Sequence, residues 1–600
     1  MEQKVTDYIA DFLVENSISD IFTITGGGAM HLNDSFGHHP SLRCTYNHHE
    51  QACAIAAEGY ARLTNRLPLV CVTSGPGGTN TLTGVLGAWL DSIPMIVISG
   101  QVKRATTRSS TNLPLRQLGD QEFNIVDCVK TMTKYSVMVT DEYDIAYHLE
   151  KALYITKNGR PGPVWIDIPL DIQGAKIDTD KLIHYSPDKI EISEEPIFSE
   201  LDAEFIIEKI NSAKRPVILA GSAIRLSDSH NQFIALIEKL NIPVVTAWNA
   251  HDVLWDDHSL YCGRPGTIGN RGGNFVVQNS DLLISLGCRL NIRQVSYNWE
   301  NFAKDAYKIV VDIDKAELQK PTLSIDYPVH ANVNHLINHL NDISHKKTKD
   351  HSEWLTWCRN INAKYPILHD NFKKDCALLN PYVFMNRLFN LLSEDEYIVA
   401  SNGSACVISF QAAIIKKGQR LFTNSGCASM GYGLPAALGC AVSQNGKRII
   451  CLEGDGSIQM NIQELQTIVH NNLNVKIIWL NNSGYHSIRQ TQANLFKAAF
   501  CGVNDDNGVS FPRADKIASA YGIKYLRVES ENDLNSEFKA TLDQSGPLIC
   551  EVVLDPDQFF EPKLSSKILP DGKIVSPPLD DMFPFIDEFE YKEICKIKER

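Results

Sequence analysis

The chain has 600 residues, 44% apolar and 21% charged, a composition that fits a folded globular protein and excludes a largely disordered or fibrous one. Its 57 lysines and arginines against 71 aspartates and glutamates leave a net charge of −14, which argues against a reader of nucleic-acid backbones. An anionic cofactor stays possible, because a glycine loop and a metal can neutralise phosphate locally.

At the start of the chain, Val5, Tyr8, Ile9, Phe12 and Leu13 follow helical spacing, which predicts a docked amphipathic helix rather than a signal peptide. No apolar run reaches the roughly 18 residues of a membrane span. The fifteen cysteines, an odd number without C-x-x-C spacing, fit reduced thiols, so a cytoplasmic protein without membrane association is expected. Continuous apolar runs at 68–73 and 94–99, separated by the turn SGPGG and a helical stretch at 79–90, predict a parallel sheet covered on both faces. A polar stretch near 174–200 reads as a linker. Strands at 217–220, 243–246, 282–286 and 308–312 predict a second α/β block, and the charged run from Asp342 a second linker. The third block repeats the logic of the first: a strand at 448–452, the turn EGDGS, a helix at 461–471 and a strand at 476–480. The expected fold class is therefore α/β, with three doubly wound parallel-sheet domains at 1–175, 195–345 and 365–555, and a proline-rich arm over 556–600.

Gly454-Asp455-Gly456-Ser457 carries the clearest chemistry. An aspartate at the carboxyl end of a parallel strand faces the ligand crevice of an open α/β sheet. Twenty-seven residues on, Asn482 follows the next strand. A carboxylate, an amide oxygen and a backbone carbonyl are hard oxygen donors suited to magnesium, with phosphate oxygens completing its shell. His48 and His49 lack a third and fourth ligand at useful spacing, which argues against zinc. Gly431-x-Gly433-x-x-Ala436 matches a dinucleotide fingerprint only superficially, because no predicted strand precedes it.

These motifs resemble the thiamine diphosphate enzymes, and the chain is similar to their acetolactate (acetohydroxyacid) synthase branch over nearly all of 1–580. The likeness rests on GGGAMH at 26–31, HHEQACAIAAEGYAR at 48–62, TSGPGGTN at 73–80, GRPGPVWIDIP at 159–169, SMGYGLPAALG at 429–439 and the GDGS–NN segment. The resemblance implies a decarboxylating carboligase that transfers the acyl unit of pyruvate or a similar 2-oxo acid to a second carbonyl acceptor. Asp455, Asn482 and the Gly484 carbonyl would hold Mg2+; Gly403, Ser404, Gly456 and Ser457 would bind thiamine diphosphate. Glu50 would meet the aminopyrimidine ring from a dry pocket at the start of a buried helix, Met430 would wedge the cofactor into a bent shape, and Gln121 would be the active-site glutamine. Arg160, the pair Arg289 and Arg293 on one face, and Asp312 would contact FAD, which does no net redox chemistry in this branch. The branch also implies an active site shared between subunits of a homodimer or homotetramer, with a regulatory subunit possible.

The matched positions around the acceptor depart from the branch. Thr491 stands where a tryptophan is usual, Leu170 replaces a lysine, and Asp120 replaces a phenylalanine before Gln121. Loss of these groups enlarges the pocket and removes a carboxylate partner, while Arg489 offers a phosphate partner. Two acceptors stay open at this point, a second 2-oxo acid and a larger activated keto-sugar. A simple 2-oxo-acid decarboxylase and a catalytically dead homologue are the remaining rivals.

Overall fold

The computed structural model describes all residues except 1, 188–195, 197–198, 370–371, 373–377, 497–498, 569–571, 573 and 600. Three parallel sheets organise the chain, as the strand pattern predicts. The first runs in the order Arg43–Tyr46, Asp20–Thr23, Leu69–Val72, Met95–Gln101, Pro163–Pro169 and Tyr135–Met138. The third runs Arg420–Phe422, Tyr397–Ala400, Ile449–Gly454, Val475–Asn481, Leu548–Val553 and Lys524–Val528. Numbered within each sheet, both have the order 2-1-3-4-6-5, so the two outer domains share one topology. The middle sheet has five strands in the order Val244–Thr246, Pro216–Ala220, Leu282–Leu286, Tyr307–Asp312 and Tyr327–His330. Central strands such as Met95–Gln101 and Pro163–Pro169 are buried at every position, which is why they read as unbroken apolar runs.

The helix Glu50–Thr64 of the first domain packs along Gly433–Ser443 of the third, and one apolar core spans both. Small residues make this approach possible, and they account for the Gly431-x-Gly433-x-x-Ala436 pattern as helix packing. Polar links cross the same boundary. Glu464 accepts from His48 N at 2.9 Å and Asn47 Nδ2 at 2.9 Å, and Asn461 Nδ2 donates to Gln51 Oε1 and the Gly431 carbonyl, both at 2.8 Å.

Three local expectations change. Lys176–Asp178, in the supposed first linker, pairs antiparallel with Glu2–Lys4; much of the rest of that linker lies outside the described residues. The helical stretch at 79–90 is two helices, Pro76–Asn80 and Leu82–Asp91, meeting at Thr81. The second linker ends in the helix Ser352–Lys364, which buries Trp354, Cys358 and Ile361 in the middle-domain core. Its charges, apart from Glu353 on that helix, mostly lie in the connection before it. The arm lies over the body as expected: Leu564 N donates to the Thr267 carbonyl at 2.7 Å, Asn274 Nδ2 to the Leu579 carbonyl at 3.0 Å, and Tyr365 Oη to Glu590 at 2.7 Å. Among the described residues, no helix is long and apolar enough to cross a membrane.

Candidate active site

Strands Ile449–Gly454 and Val475–Asn481 are parallel neighbours, in a register that sets Gly454 opposite Leu480. Their carboxyl ends therefore deliver Asp455 and Asn482 to one crevice. Asp455 Oδ1 accepts from Gly456 N at 2.7 Å and Oδ2 from Gly484 N at 3.1 Å. Burial pushes this carboxyl up to about 7, against the pull of those amides. The Asn482 amide donates weakly to Ser404 Oγ at 3.4 Å, while its Oδ1 is buried with no hydrogen-bond partner. A buried carboxylate beside an amide oxygen that lacks a donor is a donor set that fits Mg2+.

Facing this pair is the amino terminus of the nine-residue helix Ser404–Ala412, capped by Gly403 at φ +59°. A side chain there would be strained in the left-handed region, so glycine lets the loop turn its first amides towards the crevice. Ser457 Oγ accepts from Gly431 N at 2.9 Å and lies 2.8 Å from Ser401 Oγ. These bonds tie the turn carrying half-buried Met430 to the GDGS turn. Gly403, Ser404, Met430, Asp455, Gly456, Ser457, Asn482 and Gly484 thus form one cluster.

One member of this cluster escaped the sequence reading. His486, 3% exposed, accepts at Nδ1 from Ser404 Oγ at 2.8 Å and from Gln490 Nε2 at 3.3 Å. Gln490 Oε1 accepts from Phe560 N, so its amide nitrogen is the donor to the ring, and the histidine carries its proton on Nε2. Burial lowers its pKa to about 4, which keeps the imidazole neutral near pH 7. Arg489 also differs from expectation. It is 5% exposed and donates to the carbonyls of Asn482 at 3.3 Å, Ser483 at 3.0 Å and Pro556 at 3.1 Å. Its guanidinium is committed to the backbone of the metal loop, so it is not the free phosphate partner that the sequence suggested.

A second group lies on the first domain. Glu50 is the first residue of its helix, and His49 caps that helix by accepting from Gln51 N at 3.1 Å. Glu50 Oε2 accepts from Asn80 Nδ2 at 3.0 Å. The expected dry pocket is absent from the single chain: Glu50 is half-buried, and the buried run of this helix begins at Ala52. Gln121 is exposed at φ +59°, with its carbonyl lying over Gly75 in the SGPGG turn. Of the acceptor-side positions, Asp120 is exposed and Leu170 half-buried, and exposed Thr491 donates its hydroxyl to the Ser487 carbonyl at 3.0 Å.

The middle domain contributes a cavity of about 430 Å³ at the carboxyl ends of its strands, where the strand order reverses. Arg160, Arg289 and Asp312 line it. Glu317 bridges the two arginines, accepting from Arg160 Nη1 at 3.0 Å and Arg289 Nε at 2.8 Å. Burial raises the Asp312 carboxyl to about 6. A second cavity of about 650 Å³ shares Arg160 and Arg289. Two adjoining spaces with basic groups between them fit an elongated nucleotide cofactor such as FAD. Arg293 does not join the cluster. Leu290, at φ +48°, breaks the chain direction after Arg289, and Arg293 sits exposed on the separate short helix Ile292–Val295. The two arginines therefore do not share a face.

Three family models match in order: the thiamine pyrophosphate enzyme N-terminal TPP binding domain over residues 3–127, the central domain over 203–340 and the C-terminal TPP binding domain over 401–552. The chain is 31% identical over 563 residues to the acetolactate synthase isozyme 1 large subunit of Escherichia coli K12, covering 93% of this chain and 95% of that one. It is 31% identical over 577 residues to the chloroplastic acetolactate synthase 2 of Nicotiana tabacum, covering 94% and 84%. It is 30% identical over 562 residues to the probable acetolactate synthase large subunit of Methanococcus aeolicus, covering 91% of each. The chain therefore belongs to the thiamine pyrophosphate enzymes, in their acetolactate synthase-like family.

Proposed function

We propose that the protein is a thiamine diphosphate- and magnesium-dependent carboligase that decarboxylates pyruvate or a similar 2-oxo acid and joins the acyl unit to a second carbonyl. The observation that carries this reading is the Asp455–Asn482 crevice: a buried carboxylate, an unpartnered amide oxygen and a helix amino terminus converge there. Asp455, Asn482 and the Gly484 carbonyl would hold Mg2+, and Gly403, Ser404, Gly456 and Ser457 the diphosphate. When bound, the cofactor supplies the electron sink for loss of carbon dioxide.

The remaining roles fall to the chain. Asn80 fixes one oxygen of Glu50, leaving the other to hold a proton towards the aminopyrimidine ring. Met430 sets the cofactor's shape from the turn pinned by Ser457. Gln121, exposed beside Gly75, would meet substrate. A half-buried Glu50 fits a site completed by a second copy of the chain, whose diphosphate domain would cover it and exclude water, so we assign a homodimer or a dimer of dimers. A separate regulatory subunit is in keeping with relatives named large subunits, whereas a cytoplasmic location rests on the free cysteines, one relative being chloroplastic. Arg160, Arg289 and Asp312 would hold FAD, whose presence adds no net redox step.

Small 2-oxo acids are the favoured acceptors, because burial of Arg489 removes the anion partner that a phosphate-bearing ketone needed. The test is product analysis by mass spectrometry with labelled pyruvate, with and without Mg2+ and thiamine diphosphate. Cofactor-dependent acetolactate is expected. Carbon dioxide release with free acetaldehyde alone would identify a simple decarboxylase, and no turnover of any 2-oxo acid would refute the assignment.

A further inference from the structure

The loop between Asn482 and Gly484 has a geometric problem. For its side-chain amide and its last carbonyl to serve a cation, the intervening backbone carbonyls must be turned away; Asn482 and His486 are buried there, while Ser483 is exposed. Buried carbonyls without donors are costly. The loop is also conformationally demanding, since Ser483 has φ +56° although it carries a side chain. Arg489 resolves this. It lies on the buried face of the helix His486–Leu495, together with His486 and Gln490. Nη1 of its planar fork donates to the Asn482 carbonyl and the Pro556 carbonyl of the arm, and Nη2 to the Ser483 carbonyl. Among the described residues, its three hydrogen bonds all go to uncharged backbone carbonyls.

We propose that Arg489 is a positioning residue for the metal and diphosphate site: it locks the 482–484 loop in its ligating shape. The proposal rests on the metal assignment above. With a divalent cation, a diphosphate and Asp455 gathered in one buried crevice, the anions outweigh the metal, and a permanent guanidinium brings the site closer to neutrality. A lysine would keep the charge but not the planar fork that meets three carbonyls at once.

The test uses the full-length protein in three forms: wild type, Arg489→Met and Arg489→Lys. Isothermal titration would give thiamine diphosphate affinity with Mg2+ present, and hydrogen exchange of the apoprotein would follow the amides of 482–485. Losing hydrogen bonds from a charged donor is typically worth about 10- to 150-fold in affinity. Arg489→Met is expected to weaken cofactor binding within that range and to speed exchange in the loop. Arg489→Lys is expected to recover part of the affinity but little of the protection. The KM for pyruvate at saturating cofactor should change less than about twofold, because the residue touches no substrate. Cofactor affinity within about twofold of wild type in both variants, with unchanged exchange, would overturn the proposal. So would a fall in melting temperature with affinity and loop exchange preserved. If Arg489→Met fails to fold, the loss of loop protection in Arg489→Lys decides the question alone. Wild-type protein that binds the cofactor equally well without any divalent ion would instead refute the metal assignment, and the two failures are thereby separated.

Discussion

Gly59 faces Ala436 so closely that a Cβ built at Gly59 would lie 2.5 Å from the Ala436 carbonyl oxygen. The two residues sit on helices of different domains, and Gly439 meets the Ala56 carbonyl in the same way one turn along. Two backbones in contact leave no flexible side chain to yield. The Gln51–Asn461–Gly431 hydrogen bonds lie at the end of this seam.

Gly59→Val is therefore expected to destabilise the protein by about 1–3 kcal/mol, the usual range for overpacking a tight core. Chemical denaturation should show it as an earlier midpoint. A variant with wild-type stability would mean that the two domains can separate at this seam at little cost.

A pH dependence follows from Asp167, which accepts from Ser99 Oγ at 2.5 Å and Gln101 Nε2 at 3.0 Å in the first-domain core. Burial raises this carboxyl to about 7. The folded state then binds more protons than the unfolded state above the ordinary aspartate pKa of about 3.9. This group's contribution is most favourable below that value and is lost as pH rises towards about 7. Asp167→Asn should flatten that part of the stability profile, measured by urea midpoints from pH 4.5 to 7.5. An unchanged slope would show that the carboxyl is ionised throughout.

Much of this architecture was legible because burial leaves a direct mark on composition. Pro163–Pro169 is apolar at all but one position, and the run ACAIAA announces a helix that must approach another backbone. The GDGS and double-asparagine signals carry the crevice because strand ends in parallel sheets converge. Side-chain direction in short irregular segments was not legible. Arg289 and Arg293 share helical spacing but not a helix, since Leu290 turns the chain between them. His486, Arg489 and Gln490 do have the spacing of one helix face, yet they are polar, and a search for apolar periodicity passes over them. Only the loop carbonyls and Ser404 explain why polar groups point inward there.

Glu50→Gln tests the proton-holding role. The amide keeps the shape and can still face Asn80, but it cannot take a proton. The expected result is a loss of at least about 100-fold in hydrogen–deuterium exchange at the cofactor's C2 position, with cofactor and Mg2+ still bound. Exchange at the wild-type rate would move the assignment away from Glu50.

His486 provides the last prediction. Its Nδ1 is the acceptor for both Ser404 Oγ and Gln490 Nε2, so replacing the ring with phenylalanine leaves two buried donors without a partner. Such unsatisfied groups cost about 1–3 kcal/mol each. Ser404 opens the helix assigned to the diphosphate, whereas Gln490 also holds the arm through Phe560 N. His486→Phe should therefore weaken thiamine diphosphate binding and loosen residues 556–561 together. His486→Asn can return an acceptor oxygen to the same region and should recover part of both effects. Calorimetric affinity and arm hydrogen exchange measure the two arms of this prediction separately. If binding falls while the arm keeps its protection, the histidine acts through Ser404 alone. If neither changes, the imidazole is a passive filler beneath the loop, and Ser404 is held by its place at the helix start.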